Sequence, residues 1–281
     1  MLDAERDRAA YALAKEYLLS FASVGVTPEL LESYVNPKPV DRRSLTIPGI
    51  YQRILGSAAN RGRSRGVIFG GIEEIEALAI VLCDFNPSAI IEEYGDSSGE
   101  VLNAIETKLR PRGRIRTTSR SIWPLFCRTI VTGASFMNQF RTAEEFCDWV
   151  DVFDSDDLRR PALPMLLDYE IAGFGFALAC DFLKELGYFK FGKPDVHLKT
   201  IFKGLGLTDN PGATDYEVFK AITRVARHQG VLPYNVDKLF WLVGSGYFHN
   251  DKDIGALGRV HTNRKEFIEQ AKAKLSASLN V

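Results

Sequence analysis

The chain has 281 residues, 46% of them hydrophobic and 25% charged, with a formal net charge of −1 at pH 7. That length can bury a substantial core as one large domain or two modest ones. The near-neutral balance does not favour a wholesale polyanion binder, so any nucleic-acid surface must be local, and no apolar run approaches the ~20 residues of a membrane span.

The opening MLDAERDRAA is charged from its third residue and carries no secretory signal. Residues 4–22 follow as an amphipathic helix with Ala10, Leu13, Ala14, Tyr17 and Leu18 on one stripe. Thr27-Pro28-Glu29 is a helix start, an N-cap followed by proline. The prolines of residues 36–39 end that helix, and the helical pattern resumes over residues 50–60. The loop expected at residues 60–66 holds Arg61, Arg63 and Arg65 among glycines. It reads either as a solvated loop or as a phosphate-contacting one. An apolar helix is expected over residues 72–83, and Asn86-Pro87-Ser88 starts another.

A second basic stretch, KLRPRGRIRTTSR at residues 108–120, contains Arg112, Arg114 and Arg116 and no acid. Its Pro-X-Gly core marks a loop. In a chain otherwise balanced, the run suits a phosphate-binding strip as well as a plain solvated one. Residues 121–132 form an apolar helix that carries Trp123, with Pro124 in its first turn. Phe136 and Phe140 fit a buried core. Thr142 to Glu145 has capping-box character. Asp151, Asp154, Asp156 and Asp157 then read as an acidic surface turn.

Residues 163–207 are the central stretch. Two helices meet at a Gly-X-Gly turn, IAGFG, where Gly173 and Gly175 flank Phe174. Gly187 stands where a helix C-cap belongs. Lys193-Pro194-Asp195-Val196-His197 then opens another apolar helix. Asp195 suits the N-cap of that helix, and a helix N-terminus also favours an ionised carboxylate. His197 suits a structural hydrogen bond better than a proton shuttle. Beyond it, Thr214-Asp215 caps a helix, residues 233–243 form an apolar helix carrying Trp241, Tyr247 lies on the following loop, and an amphipathic helix spans residues 264–275. Without strand-like alternation, the class is all-α.

IAGFGFALA resembles the Leu-Pro-Gly-Val-Gly-X-Lys-X-Ala hairpin of the helix–hairpin–helix DNA glycosylase superfamily, which includes endonuclease III and the 3-methyladenine glycosylases. PDVHL resembles that family's Val-Asp-Thr-His-Val motif, which carries the catalytic aspartate. The spacing agrees as well: the family's lysine position falls on Ala177 and its aspartate on Asp195, eighteen positions apart. The resemblance implies a two-lobed architecture, with residues 49–190 as the lobe bearing the motif (163–187). By the same resemblance, residues 1–48 plus 191–281 are expected to form the second lobe, with the site in the cleft between the two. It also implies that Asp195 is catalytic, and that Gly173, Phe174, Gly175 and Ala177 meet a DNA phosphate with Lys193 nearby.

Alanine at position 177 has no amine, so the resemblance implies a monofunctional, water-using glycosylase without strand nicking. The alternative is a non-catalytic helix–hairpin–helix DNA-binding protein. Trp123, Trp241, Tyr247 and His197 are the candidate surroundings of an extruded base. Cys83, Cys127, Cys147 and Cys180 lack CxxC spacing; neither metal nor other cofactor is expected, and the thiols suit a reducing cytoplasm. The expected partner is double-stranded DNA, bound by a monomer.

Overall fold

The computed structural model describes every residue except Met1, Arg63, Asp209, Pro211, Asn280 and Val281. Arg63, read above as a phosphate contact, lies outside the described residues. The fold is all-α. Among the described residues, extended pairing is confined to isolated bridges of Arg259 with Tyr247 and Gly255. The chain forms two compact units, residues 1–39 with 189–281 and residues 40–188. The unit bearing the glycine hairpin begins at Val40, ahead of a 3-10 turn at Arg42–Ser44.

In chain order, α1 (Leu2–Leu19) and α2 (Pro28–Val35) belong to the first unit. The second unit contains α3 (Ile47–Ala59), α4 (Ser64–Ile72), α5 (Pro87–Tyr94), α6 (Ser98–Ala104), α7 (Ile122–Met137), α8 (Ala143–Asp154), α9 (Ala162–Glu170) and α10 (Phe176–Glu185). The first unit resumes with α11 (Val196–Leu205), α12 (Asp215–Gln229), α13 (Pro233–Ser245) and α14 (Arg264–Leu279). Side-chain caps set many of the starts. Thr27, Thr46, Asn86, Ser97, Thr142, Thr214 and Asp195 each accept an amide of their helix's first turn, the orphan donors that a cap satisfies.

The second unit is built around α7. Its residues Trp123, Phe126, Cys127, Ile130, Val131, Ala134, Phe136 and Met137 are buried, and a helix apolar on so many sides belongs inside a core. α3 packs against α7 at Gly133, where a Cβ would stand 3.4 Å from the Tyr51 ring and 3.5 Å from Ile54. The buried Tyr51 hydroxyl in turn donates to the Ile130 carbonyl at 2.8 Å. Phe136, Phe140, Phe146 and Trp149 form an aromatic cluster with ring centroids 5.2–6.0 Å apart.

Two local expectations change here. Residues 72–83 are not one helix: α4 ends at Ile72, Glu73 takes a positive φ of 69°, and only short 3-10 turns follow at Ile75–Ile80 and Cys83–Phe85. A left-handed non-glycine residue stops α-helical propagation. Nor is the acidic turn after α8 simply surface. Asp154 and Asp157 pair with Arg160, whose side chain is only 3% exposed, as a buried guanidinium requires.

In the first unit, α1, α2, α11, α12, α13 and α14 share one apolar core that includes Leu18, Leu31, Phe202, Ile222, Phe240 and Phe267. The rings of Phe202 and Phe240 meet edge-on at 5.0 Å and join α11 to α13. Each such fully buried side chain stabilises the fold by roughly 1.5–3 kcal/mol relative to exposure. A polar clamp ties α1 to α12: the fully buried Asp7 accepts from Arg224 Nε at 2.8 Å and Nη2 at 3.0 Å, with His228 Nδ1 at 2.7 Å.

Candidate functional site

The Asp195 site lies wholly within the first unit. A short segment before α11 delivers it, and α13 holds that segment. The Tyr234 amide donates to the Phe189 carbonyl at 3.0 Å, and Phe191 is fully buried. Gly192 has no room for a side chain, because a Cβ would meet Ile222 at 2.5 Å and the Pro233 carbonyl at 3.2 Å. Lys193 N–H donates to Asp237 Oδ2 at 3.0 Å. The Asp195 amide then turns back to the Lys193 carbonyl at 2.9 Å.

Asp195 is the N-cap of α11, with extended backbone (φ −78°, ψ 179°). Its Oδ1 accepts from the amides of His197 at 2.8 Å and Leu198 at 3.0 Å. Burial pushes its carboxyl above the usual range. The Leu198 amide works against that rise, the Asp237 carboxylate adds to it, and His197 and Lys193 pull the other way. The half-buried carboxyl is fixed in place at a helix N-terminus, where burial opposes its ionisation and the amide bond favours it.

His197 packs against α13. A Cβ on Gly244 would lie 2.5 Å from the imidazole Nδ1, so the glycine makes space for the ring. Nδ1 is buried without a hydrogen-bond partner at good geometry, as is Arg264 Nη1 at the start of α14. Burial lowers the His197 pKa; Asp195 raises it, the Arg264 charge lowers it again, and the Gly244 carbonyl has the smallest influence. A neutral imidazole with a blocked nitrogen fits a packing role better than proton transfer.

Trp241 and Tyr247 flank His249, at ring-centroid separations of 6.3 and 6.1 Å. Lys238 lies 5.6 Å above the Trp241 ring, and Arg259 lies 5.5 Å from that of Tyr247. Trp241 is half-buried and Tyr247 exposed. Trp123 belongs to the other unit, where it is buried against Phe126 and Gly71 as a core residue.

The glycine hairpin, in the second unit, joins α9 to α10. Thr129 donates to the Ala172 carbonyl at 2.7 Å, and the Ala172 amide donates to Thr132 at 2.9 Å, so α7 holds the turn from behind. Gly173 (φ 75°) and Gly175 (φ 73°) both need the left-handed side of backbone space. Phe174 between them is fully buried against Phe182. No side chain caps α10, and Ala177 sits half-buried in its first turn.

Arg61, just past the end of α3, brings its guanidinium to this hairpin: Nη1 is 3.0 Å from where a Gly173 Cβ would stand. The Arg112 amide donates to the Gly71 carbonyl at 3.0 Å, which anchors the basic strip at the end of α4. The Arg112 side chain pairs with Glu73 at 2.8 Å, while Arg114 and Arg116 are exposed.

Sequence reading missed Asp237. It is 2% exposed within α13. A signal did exist: Asp237, Phe240 and Gly244 follow at i, i+3 and i+7, which puts a carboxylate on a buried helical stripe.

Among the described residues, no three His, Cys, Asp or Glu side chains converge as metal ligands, and no helix is long and apolar enough to cross a membrane. Comparison with protein-family models, curated proteins and solved structures finds no match to this chain.

Proposed function

We propose that this chain is a monofunctional DNA N-glycosylase of the helix–hairpin–helix type. It binds duplex DNA, extrudes a damaged or modified nucleotide and hydrolyses its N-glycosidic bond to leave an abasic site. The observation that carries this reading is the placement of Asp195: a half-buried carboxyl held by two amides of its own helix, in a motif that resembles the family's catalytic one. Cleaving a base from its sugar passes through an oxocarbenium-like state, as glycoside hydrolysis does. A pre-fixed anion stabilises that charge without reorganising, and it orients or deprotonates the attacking water.

In this reading the hairpin at Gly173, Phe174 and Gly175 presents backbone amides to a phosphate at the uncapped start of α10. Arg61, Arg112, Arg114, Arg116 and Lys193 add charge along the backbone. Trp241 and Tyr247 offer ring faces for an extruded base. Ala177 supplies no amine, so the product keeps its strand intact. A chemically modified base, including one in foreign DNA such as that of a phage, is the proposed target class. The role is accordingly either DNA repair or antiviral defence.

The test incubates the full chain with duplexes bearing different modified bases and follows released base by mass analysis. Wild type is expected to release one class of base and leave abasic strands that break only after alkali. Asp195→Asn is expected to release it on the order of 10²–10³-fold more slowly. Equal rates from the two proteins would overturn the assignment of Asp195. DNA binding without release from any duplex would favour the non-catalytic alternative. A borohydride-trapped covalent complex would refute the monofunctional reading.

A further inference from the structure

We propose that Asp237 on α13 is the positioning residue of the Asp195 site: it grips the turn that delivers Asp195 and sets a second carboxylate within electrostatic reach of it. The inference rests on reading Asp195 as the catalytic carboxylate.

Its geometric basis is specific. Asp237 is nearly inaccessible to solvent, yet it stands on a helix that is otherwise apolar at Val236, Leu239, Phe240, Leu242 and Val243. A buried aspartate in such a place is costly unless hydrogen-bonded. Its Oδ2 accepts the Lys193 amide at 3.0 Å, a bond that spans 44 positions of sequence. Two residues later Asp195 begins α11, and its own amide closes back on Lys193. With Gly192 wedged against Ile222 and the Pro233 carbonyl, the segment has one way to lie. Asp237 fixes the end of it that matters.

The second consequence is electrostatic. The charged and titratable groups that face Asp195 are Asp237 from α13, His197 from its own helix and Lys193 from the delivering segment; Arg264 from α14 faces His197. Of these, only Asp237 opposes ionisation of Asp195 by its charge. Removing that charge must make Asp195 easier to deprotonate. If the ionised carboxylate is the working form, the acid limb of the pH–rate profile then moves to lower pH.

The experiment uses the full chain, with aspartate labelled by carbon-13 at the side-chain carboxyl, as wild type, D237N and D237A; D195N assigns the Asp195 signal. Asparagine keeps the acceptor for the Lys193 amide and removes the charge, whereas alanine removes both. In D237N the Asp195 signal is expected to titrate at lower pH than in wild type, with the Lys193 amide exchanging as slowly as before. In D237A that amide is expected to exchange faster. If D237A fails to fold, the D237N titration decides alone.

Base release by D237N, normalised to its own plateau, should persist to lower pH than in wild type. A merely structural residue would lower the plateau and leave the limb where it was. An unmoved Asp195 titration in D237N overturns the inference, as does an unmoved acid limb in an active enzyme. A moved titration with no base release from any duplex, wild type included, leaves the Asp237–Asp195 coupling standing and refutes the glycosylase reading instead.

Discussion

The guanidinium of Arg61 lies 3.0 Å from the point where a Cβ on Gly173 would stand, although the two residues are more than a hundred positions apart in sequence. One hairpin thereby receives a cation from the end of α3 and two left-handed glycines from its own turn. Gly173→Ala forces a side chain into φ 75° and pushes Arg61 aside. The backbone strain should cost about 1–2 kcal/mol. Arg61 is exposed, and Arg61→Ala should change stability by no more than about 0.5 kcal/mol. Urea unfolding measures both. Equal stability losses would mean that Arg61, rather than the glycine conformation, holds the hairpin in place.

The strip at Arg112, Arg114 and Arg116 makes a separate, salt-dependent prediction. The Arg112–Glu73 pair is exposed on both sides, and such a pair contributes at most about 1 kcal/mol. A phosphate can therefore displace Glu73 at little cost. Each phosphate neutralised contributes a slope of about 0.9 to log affinity against log salt. Replacing the three arginines by alanine should weaken DNA binding across all sequences and flatten that slope by roughly two to three units. If the slope of the triple variant matches wild type, the strip is a solvated loop.

Local grammar made much of this fold readable. Thr27, Asn86, Thr142, Thr214 and Asp195 announce helix starts by residue type, and each accepts the first-turn amides it was expected to accept. The hairpin was legible because glycine alone tolerates its turn. Residues 72–83 misled because their apolar spacing is genuinely helical, while the break comes from Glu73, Cys83, Asp84 and Phe85 at positive φ. Of these residue types only aspartate is enriched in that geometry, so residue type gives little warning of it. The partners of the candidate site, Asp237 for Lys193 and Arg61 for Gly173, are joined only by the fold. Sequence periodicity could at most have flagged Asp237 as a charge on a buried stripe.

The clamp on Asp7 offers a test of the first unit alone. Asp7→Ala would take the carboxylate partner from Arg224 and His228 and leave Arg224 its bond to the Leu207 carbonyl. Breaking one side of a buried ionic network costs about 3–5 kcal/mol. Arg224 is partly exposed, so the lower end of that range is expected. Thermal or urea unfolding should show the loss, and Arg224→Met combined with Asp7→Leu should recover part of it. A single Asp7→Ala variant as stable as wild type would show that water replaces the clamp without penalty.

Asp195→Asn should separate stability from activity, with a sign that pH reveals. Asparagine is as good an N-cap as aspartate and keeps the bonds from His197 and Leu198. What it removes is a charge that burial and Asp237 make costly. Because the folded carboxyl titrates above its unfolded value, the native state holds the proton more tightly. Its stabilising contribution is complete below the ordinary carboxylate range and is lost as pH rises through the raised value. His197 runs the opposite way: its lowered pKa gives stability that is present above the ordinary histidine range and lost as pH falls through the folded value. Removing the Asp195 charge lowers the His197 value further, but at pH 8 the imidazole is neutral in both proteins, so the difference there reports chiefly on residue 195. The two should unfold alike near pH 4, and the Asn variant should be the more stable at pH 8, while its base release falls by on the order of 10²–10³-fold. A site that trades stability for a poised anion must show both effects together. A wild type at least as stable as Asp195→Asn at pH 8 would mean that the carboxylate is at ease where it stands, and the case for it as a held catalytic charge would fail.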